Sequence, residues 1–198
     1  MSDPIHMENF SCPLSIMDYD TIQLAHGSGG KLSADLIEKI FLPCFGNSFL
    51  EKLEDQATLP AIDGRLAFST DSFVVSPVFF PGGDIGELSV NGTVNDLAMS
   101  GAVPLYLSTG FILEEGLPIE DLHKIAVSMR RAADRAGIRI VTGDTKVVSR
   151  GQCDKVFINT SGIGSIPGSI DLGVHRIMPG DHILLSGTMA DHGMAVMT

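Results

Sequence analysis

The chain has 198 residues, 44% hydrophobic and 19% charged, with 24 acidic against 13 basic side chains and a formal charge of −11. This is a globular composition, and a chain of this mass folds to an exposed area of roughly 9,000 Å², burying about 70% of what its unfolded form exposes. The acidic balance excludes nucleic acid as a partner, because a phosphate backbone is met by a basic stripe and the sequence has none.

Residues 1–19 contain no Lys or Arg and no long apolar run, so they fit neither a signal nor a transit peptide and read as a loose N-terminal extension. Ser28-Gly29-Gly30 then opens an amphipathic helix over KLSADLIEKIF, with Leu32, Leu36, Ile40 and Ile37 on one face and Pro43 as its stop. Arg65 to Val75 is rich in β-branched and aromatic residues and reads as a strand that breaks at Asp71 and resumes. Gly82-Gly83 leads into a helix over 84–100 that is apolar on most sides and is therefore expected to be buried. Val103 to Leu113 is the next strand, apolar on both faces. The stretch 97–113 is uncharged but is broken by Gly101, Pro104 and Gly110, which excludes a membrane-spanning helix there.

Pro118 starts the clearest helix, with Leu122, Ile125, Ala126, Met129 and Ala133 as its inner stripe, acids at its first turn, arginines near its end and Gly137 closing it. Strands are expected at Ile138–Val141, Val156–Gly162 and His182–Ser186, with a Gly/Pro-rich linker over 165–180 and a helix beginning at Asp191. The pattern is an α/β (α+β) chain: an extension (1–19), a first domain with a mixed sheet and packed helices (20–166), and a linker with the beginning of an incomplete second domain (167–198). Ile183, Leu184, Leu185 and Val196 of that segment are expected to expose apolar surface. Cys12, Cys44 and Cys153 are widely spaced and form no CxxC pair, which argues against a disulfide framework and a zinc site and for a reducing, cytoplasmic setting.

The chemistry gathers in a few places. HGSGG, His26 to Gly30, puts bare backbone N–H groups at a helix N-terminus, as phosphate binding requires, although a glycine turn before a helix is also simply a turn. Asp55, Asp71, Asp96 and Asp144 each interrupt an apolar run, where a carboxylate is costly unless it is paired or bound to a cation. Any one of them could cap a local amide. Together, with few basic residues between Asp55 and Asp144, they suit Mg²⁺, which binds through a few carboxylates and substrate phosphates; beside a phosphate-cradling loop this describes an ATP site. Lys146, two residues after Asp144, would be presented by a turn to the same space as a phosphate neutraliser or an acid/base, or it is a solvated surface lysine.

HGSGGK at 26–31, the run 68–104 containing FFPGGDIGELSVNGTVNDLAMSGAVP, FILEEGLP at 111–118 and VTGDTKVV at 141–148 resemble the HypE family of hydrogenase maturation proteins. That family belongs to the superfamily of AIR synthase, selenophosphate synthetase and thiamine-monophosphate kinase. The resemblance implies a domain whose sheet pairs with a second copy into a dimeric barrel, with Mg-ATP bound near that interface. It implies that ATP phosphorylates a carboxamide carried on a C-terminal cysteine, that loss of phosphate leaves a thiocyanate, and that the cyanide goes to the iron of a [NiFe] centre. Carried over by motif, Asp55, Asp71, Asp96 and Asp144 would hold metal ions and phosphates. The loop of Gly27, Ser28, Gly29 and Gly30 would close on the triphosphate, Asn95, Gly143 and Thr145 would contact the nucleotide, and Lys146 would assist proton transfer. His26 matches the motif without an assigned role. Implied partners are a second copy of the chain, the carbamoyltransferase HypF and the iron-carrying HypC–HypD scaffold. None of the three cysteines matches the family's acceptor tail, so these 198 residues alone are expected to retain at most nucleotide binding and dimerisation. The alternatives are a catalytically silent dimerisation and docking module, or a sister ATP-dependent small-molecule kinase.

Overall fold

The computed structural model describes residues 12–191 and 194. Residues 1–11 of the expected extension, most of the helix expected from Asp191, and Val196 lie outside the described residues. After a 3₁₀ turn at Leu24–Gly27 the first helical run is built in three parts: α1 (Lys31–Leu36), a π turn at Ile37–Phe41, and α2 (Leu42–Phe45). Pro43 therefore does not stop the helix. The Leu42 N–H bonds the Ile37 carbonyl five residues back, widening the ladder just where Pro43 has no N–H to give, and the run continues to Phe45. Leu36 and Ile40 are buried; Leu32 is half-buried and Ile37 is exposed.

β1 (Arg65–Phe73) is unbroken at Asp71 and pairs antiparallel along its whole length with the last strand. The short pair β2 (Phe79–Phe80) and β3 (Gly83–Asp84) precedes α3 (Ile85–Met99), whose first N–H groups are taken by the Asp84 carboxylate: Gly86 N–H donates to it at 2.7 Å and Glu87 N–H at 3.1 Å. β4 (Val103–Glu114), α4 (Ile119–Ala136) and β5 (Arg139–Val148) form a parallel β-α-β unit, and β6 (Val156–Ile166) completes a mixed sheet of order β1-β6-β4-β5. β5 and β6 run several residues past their expected ends, so the GDTK segment lies within a strand and not on a turn. No strand forms at His182–Ser186, where no neighbouring strand offers backbone partners.

α3 and α4 pack together on one face of the sheet, and the core lies between them and β1, β4 and β6. All five expected residues of the α4 stripe are buried. α3, apolar on most sides and expected to be buried, is buried on one side only, through Ile85, Ser89, Val90, Thr93 and Leu97, while Asn95, Asp96, Ala98 and Met99 are exposed. A buried polar seam joins α3 to the sheet: the Thr160 hydroxyl donates to the Ser89 carbonyl at 2.9 Å, so the Thr93 hydroxyl, 2.7 Å away, donates to Thr160.

Opposite the helices the sheet is open. Leu66, Phe68, Val103 and Ile112 project there at 56%, 69%, 55% and 43% exposure. Residues 167–191 are exposed except Ile170, with Ile183, Leu184 and Leu185 among them. The total exposed area of 12,435 Å² accordingly exceeds the roughly 9,000 Å² of a compact fold of this mass. Among the described residues no helix is long and apolar enough to cross a membrane. The three cysteines are free thiols, as their spacing suggests, but the 12–19 segment folds against α2 and brings Cys12 Sγ to 2.6 Å from Cys44 Sγ, although 32 residues separate them.

Candidate functional site

The His26–Gly30 loop lies against the outer edge of β5, and the approach is close. A Cβ on Gly27 would sit 2.6 Å from the Val147 backbone nitrogen, so only glycine brings the loop onto this strand. Gly143 meets the same condition from the sheet side, where a Cβ would fall 2.5 Å from the Thr109 carbonyl. Between loop and strand opens a cavity of about 700 Å³. The loop is not a row of bare N–H groups, as the sequence suggests. Ser28 N–H bonds the Ala25 carbonyl at 3.4 Å and Gly29 N–H donates to Ser33 Oγ at 2.9 Å, while Ser33 Oγ donates to the His26 carbonyl at 2.8 Å.

Of the residues singled out from sequence, Gly27, Gly29, Asp55, Gly143, Asp144, Thr145 and Lys146 line this one cavity. Ser28 and Gly30 sit in the same loop, with Gly30 capping α1. Asp144 and Lys146 both lie inside β5, two residues apart on one face, and both are exposed; Thr145 between them turns to the helix side. Glu38, Glu54, Asp55 and Asp144 set four carboxylates on the lining against the single ammonium of Lys146. An excess of carboxylates repels a polyphosphate unless a divalent cation accompanies it. The opposite wall is apolar, with Phe41 stacked on Phe111 at 5.0 Å beside Leu36 and Ile140.

Asp71, Asn95 and Asp96 do not line that cavity; they sit at the other edge of the sheet, where β1 meets α3. Asp96 accepts the Ser69 hydroxyl at 2.6 Å, tying helix to strand in place of a local cap. Asp71 pairs in register with Thr160 and lies beside Gly92 of α3. Asp71 and Asp144 thus occupy the two outer strands of a four-stranded sheet, roughly 14 Å apart across the ladder. Among the described residues no three of the four expected metal aspartates bring carboxylate oxygens within 4.8 Å of one another. None of the four is buried: Asp55 lies in an irregular exposed segment, Asp71 is half-buried against α3, and Asp96 and Asp144 are exposed, Asp144 because its apolar neighbours alternate to the other side of β5.

His26 and Ser33 are the residues sequence reasoning undervalued. His26 is 1% exposed, its Nδ1 accepts the Gln23 N–H at 2.8 Å, and its Nε2 faces no hydrogen-bond partner while the residue lines the cavity. Burial holds its pKa below the ordinary 6.5, so the ring is neutral with its proton on Nε2. Thr109 Oγ1, also on the lining, is a second buried polar atom without a partner. Ser33 had a signal, three residues beyond the Gly30 cap; a buried histidine in a glycine loop had none.

Residues 53–166 match the model of the AIR synthase related protein family, N-terminal domain. Carbamoyl dehydratase HypE of Escherichia coli strain K12 is 55% identical over 183 residues, covering 90% of this chain and 54% of that protein. A crystal structure of the hydrogenase maturation protein HypE in complex with ATP superposes with a TM-score of 0.71 at 59% identity, over 73% of this chain and 43% of that one. HypE in a HypE–HypF complex does so with a TM-score of 0.66 at 54% identity, over 82% of this chain and 52% of that one. The chain spans about half the length of the curated relatives it matches. With its mixed sheet, its helices on one face and this match over residues 53–166, the chain belongs to the AIR synthase related family through that family's N-terminal domain, and resembles HypE.

Proposed function

We propose that this chain provides the nucleotide half of an ATP-dependent carbamoyl dehydratase of hydrogenase maturation. The observation that carries the reading is the cavity in which the Gly27–Gly29 loop faces Asp144, Thr145 and Lys146 across an acidic lining, in a fold shared with a HypE that binds ATP. Mg²⁺ fits the donor set. It takes hard oxygen ligands, needs only a carboxylate or two beside phosphate oxygens and water, and offsets the charge of the four lining carboxylates. Asp55 and Asp144 would hold it, and when bound it would neutralise the transferring phosphate. The glycine loop holds the triphosphate against β5, Lys146 takes up phosphate charge, the His26 Nε2–H and the Thr109 hydroxyl supply donors that lack partners in the free chain, and the Phe41–Phe111 wall receives the base.

In the complete reaction the carboxamide oxygen attacks the γ-phosphate of ATP and ADP leaves. The phosphorylated amide then loses phosphate and two nitrogen-bound protons, so that R–S–CO–NH₂ and ATP become R–S–C≡N, ADP and phosphate. Phosphorylation turns a poor leaving oxygen into a good one.

The open sheet face carrying Leu66, Phe68, Val103 and Ile112 supports a homodimer. A second copy on that face is also what unites the separated site residues, placing Asp71, Asn95 and Asp96 of one copy at the nucleotide beside the Gly143–Lys146 segment of the other. The carbamoyl donor HypF and the HypC–HypD scaffold are the proposed partners; HypF is supported by the related HypE–HypF complex. Calorimetric titration of the full chain with ATP tests the nucleotide reading: one ATP per chain in the presence of Mg²⁺, with heat lost on omitting Mg²⁺ and in Gly27→Val. Absence of heat with Mg²⁺ present overturns it.

A further inference from the structure

We propose that Cys12, Cys44 and His123 form a zinc site that fastens the N-terminal segment to the helix layer. Their ligand atoms, the two sulfurs and an imidazole nitrogen, all lie within 4.8 Å of one another, the one such trio among the described residues. They come from three separate pieces of the fold. Cys12 lies in the segment ahead of the first turn, Cys44 is fully buried in α2, and His123 is in the second turn of α4. Nothing in the nucleotide cavity involves them.

The chemistry of the trio decides between its possible uses. A disulfide between the sulfurs would need an oxidant and would leave the imidazole as it is, with His123 Nε2 buried and lacking any hydrogen-bond partner. A buried nitrogen without a partner has given up its bond to water for nothing in return, so a use that satisfies it is favoured over one that does not. Two thiolates and one imidazole are a borderline-soft donor set that suits Zn²⁺ over Mg²⁺, whose hard-oxygen preference is met elsewhere in the molecule. Zinc uses all three groups at once, with water at the fourth position. Binding releases the two thiol protons and forms two Zn–S bonds and one Zn–N bond, with no change of oxidation state. At a Zn–S length of about 2.3 Å the sulfurs of a tetrahedral site lie roughly 3.8 Å apart. They must therefore part from their 2.6 Å separation, and Cys12, half-buried in an irregular segment, is the ligand free to move. The clamp closes a loop of 32 residues that contains the His26–Gly30 turn.

The test uses the full chain, reduced with a phosphine and stripped of metal, titrated with Co²⁺ as a spectroscopic substitute and then with Zn²⁺. The expected result is one equivalent of Co²⁺ giving a sulfur-to-metal charge-transfer band and tetrahedral visible bands, displaced stoichiometrically by Zn²⁺. The signal is lost in Cys12→Ser and Cys44→Ser, weakened at least tenfold in affinity in His123→Ala, and unchanged in Cys153→Ser. Zinc raises the melting temperature of the wild type and not of Cys12→Ser, whose ligand lies outside the core and whose fold is intact by circular dichroism. Absence of the charge-transfer band at one equivalent in the wild type overturns the proposal, as does its persistence in Cys12→Ser. So does a metal-free chain isolated without reductant in which thiol titration finds Cys12 and Cys44 oxidised to a disulfide.

Discussion

His26 shows what a single buried ring can reveal about pH. In the unfolded chain it protonates near the ordinary 6.5, and in the folded chain burial holds it lower. Between those two values the unfolded state binds a proton that the native state refuses, so the stability due to the neutral ring is complete above pH 6.5 and is lost as pH falls through the unfolded value toward the folded one. Urea unfolding at pH 7, 6 and 5 is expected to show stability falling with acidification, and His26→Gln, which keeps a nitrogen donor without titrating, is expected to flatten that fall. An equal slope in both proteins would assign the acid sensitivity to other groups. At this scale sequence legibility was uneven. Gly27 and Gly143 stood out because glycine beside a charged or hydroxyl motif is informative, and both prove to be forced by backbone approach. The aspartates stand out for a reason the structure does not bear out: none is buried, and Asp144 shows why, since its apolar neighbours in sequence alternate to the other side of β5.

At the scale of elements, the Ser89–Thr93–Thr160 seam fixes how α3 lies on the sheet. Thr160→Val leaves the Thr93 hydroxyl buried without this partner and strips the Ser89 carbonyl of its second bond, the first being the helical one from the Thr93 N–H, and a destabilisation of about 1–3 kcal/mol is expected. Thr93→Val removes only a donor to an oxygen that keeps its other bond, so it costs less. The double variant is expected to cost less than the sum of the singles, with a coupling of about 0.5–1.5 kcal/mol in a urea double-mutant cycle; strict additivity would mean that the hydroxyls act independently. α4 was fully legible because its apolar stripe, acidic first turn and closing Gly137 all agree. Pro43 was misread because a π turn moves the hydrogen-bond ladder by one residue, and no local pattern announces that shift. The ends of β5 and β6 were misread because strand length is set by the partner: GDTK continues a strand since β4 offers register to it. His182–Ser186 has the composition of a strand and no such partner.

Over the whole molecule, the fold class and the order of elements were legible from alternating periodicities. The long-range juxtapositions were not: Cys12 against Cys44, the glycine loop against β5, and Asp71 at the opposite edge from Asp144. Those depend on topology, and motif resemblance supplies a list of candidate site residues without their arrangement. The sheet places the list in two groups at its two edges, with an open apolar face between them carrying Phe68 at 69% exposure. In the proposed dimer, burying such a face against a second copy would be favoured at about 25 cal/mol per Å², and a two-fold axis along the strands would set the β1 edge of one copy against the β5 edge of the other.

The most direct test of a nucleotide site shared between two copies is ATP binding, with Mg²⁺, to an equimolar mixture of Asp71→Asn and Asp144→Asn chains that have been unfolded and refolded together. Each variant alone is expected to bind at least tenfold more weakly than the wild type. In the mixture, half of the dimers are hybrids and each hybrid carries one site with both aspartates intact, so about a quarter of the sites are expected to recover wild-type affinity. A mixture that binds no better than the separate variants would place both aspartates in the same copy's site, or outside the site altogether, and would contradict the shared site.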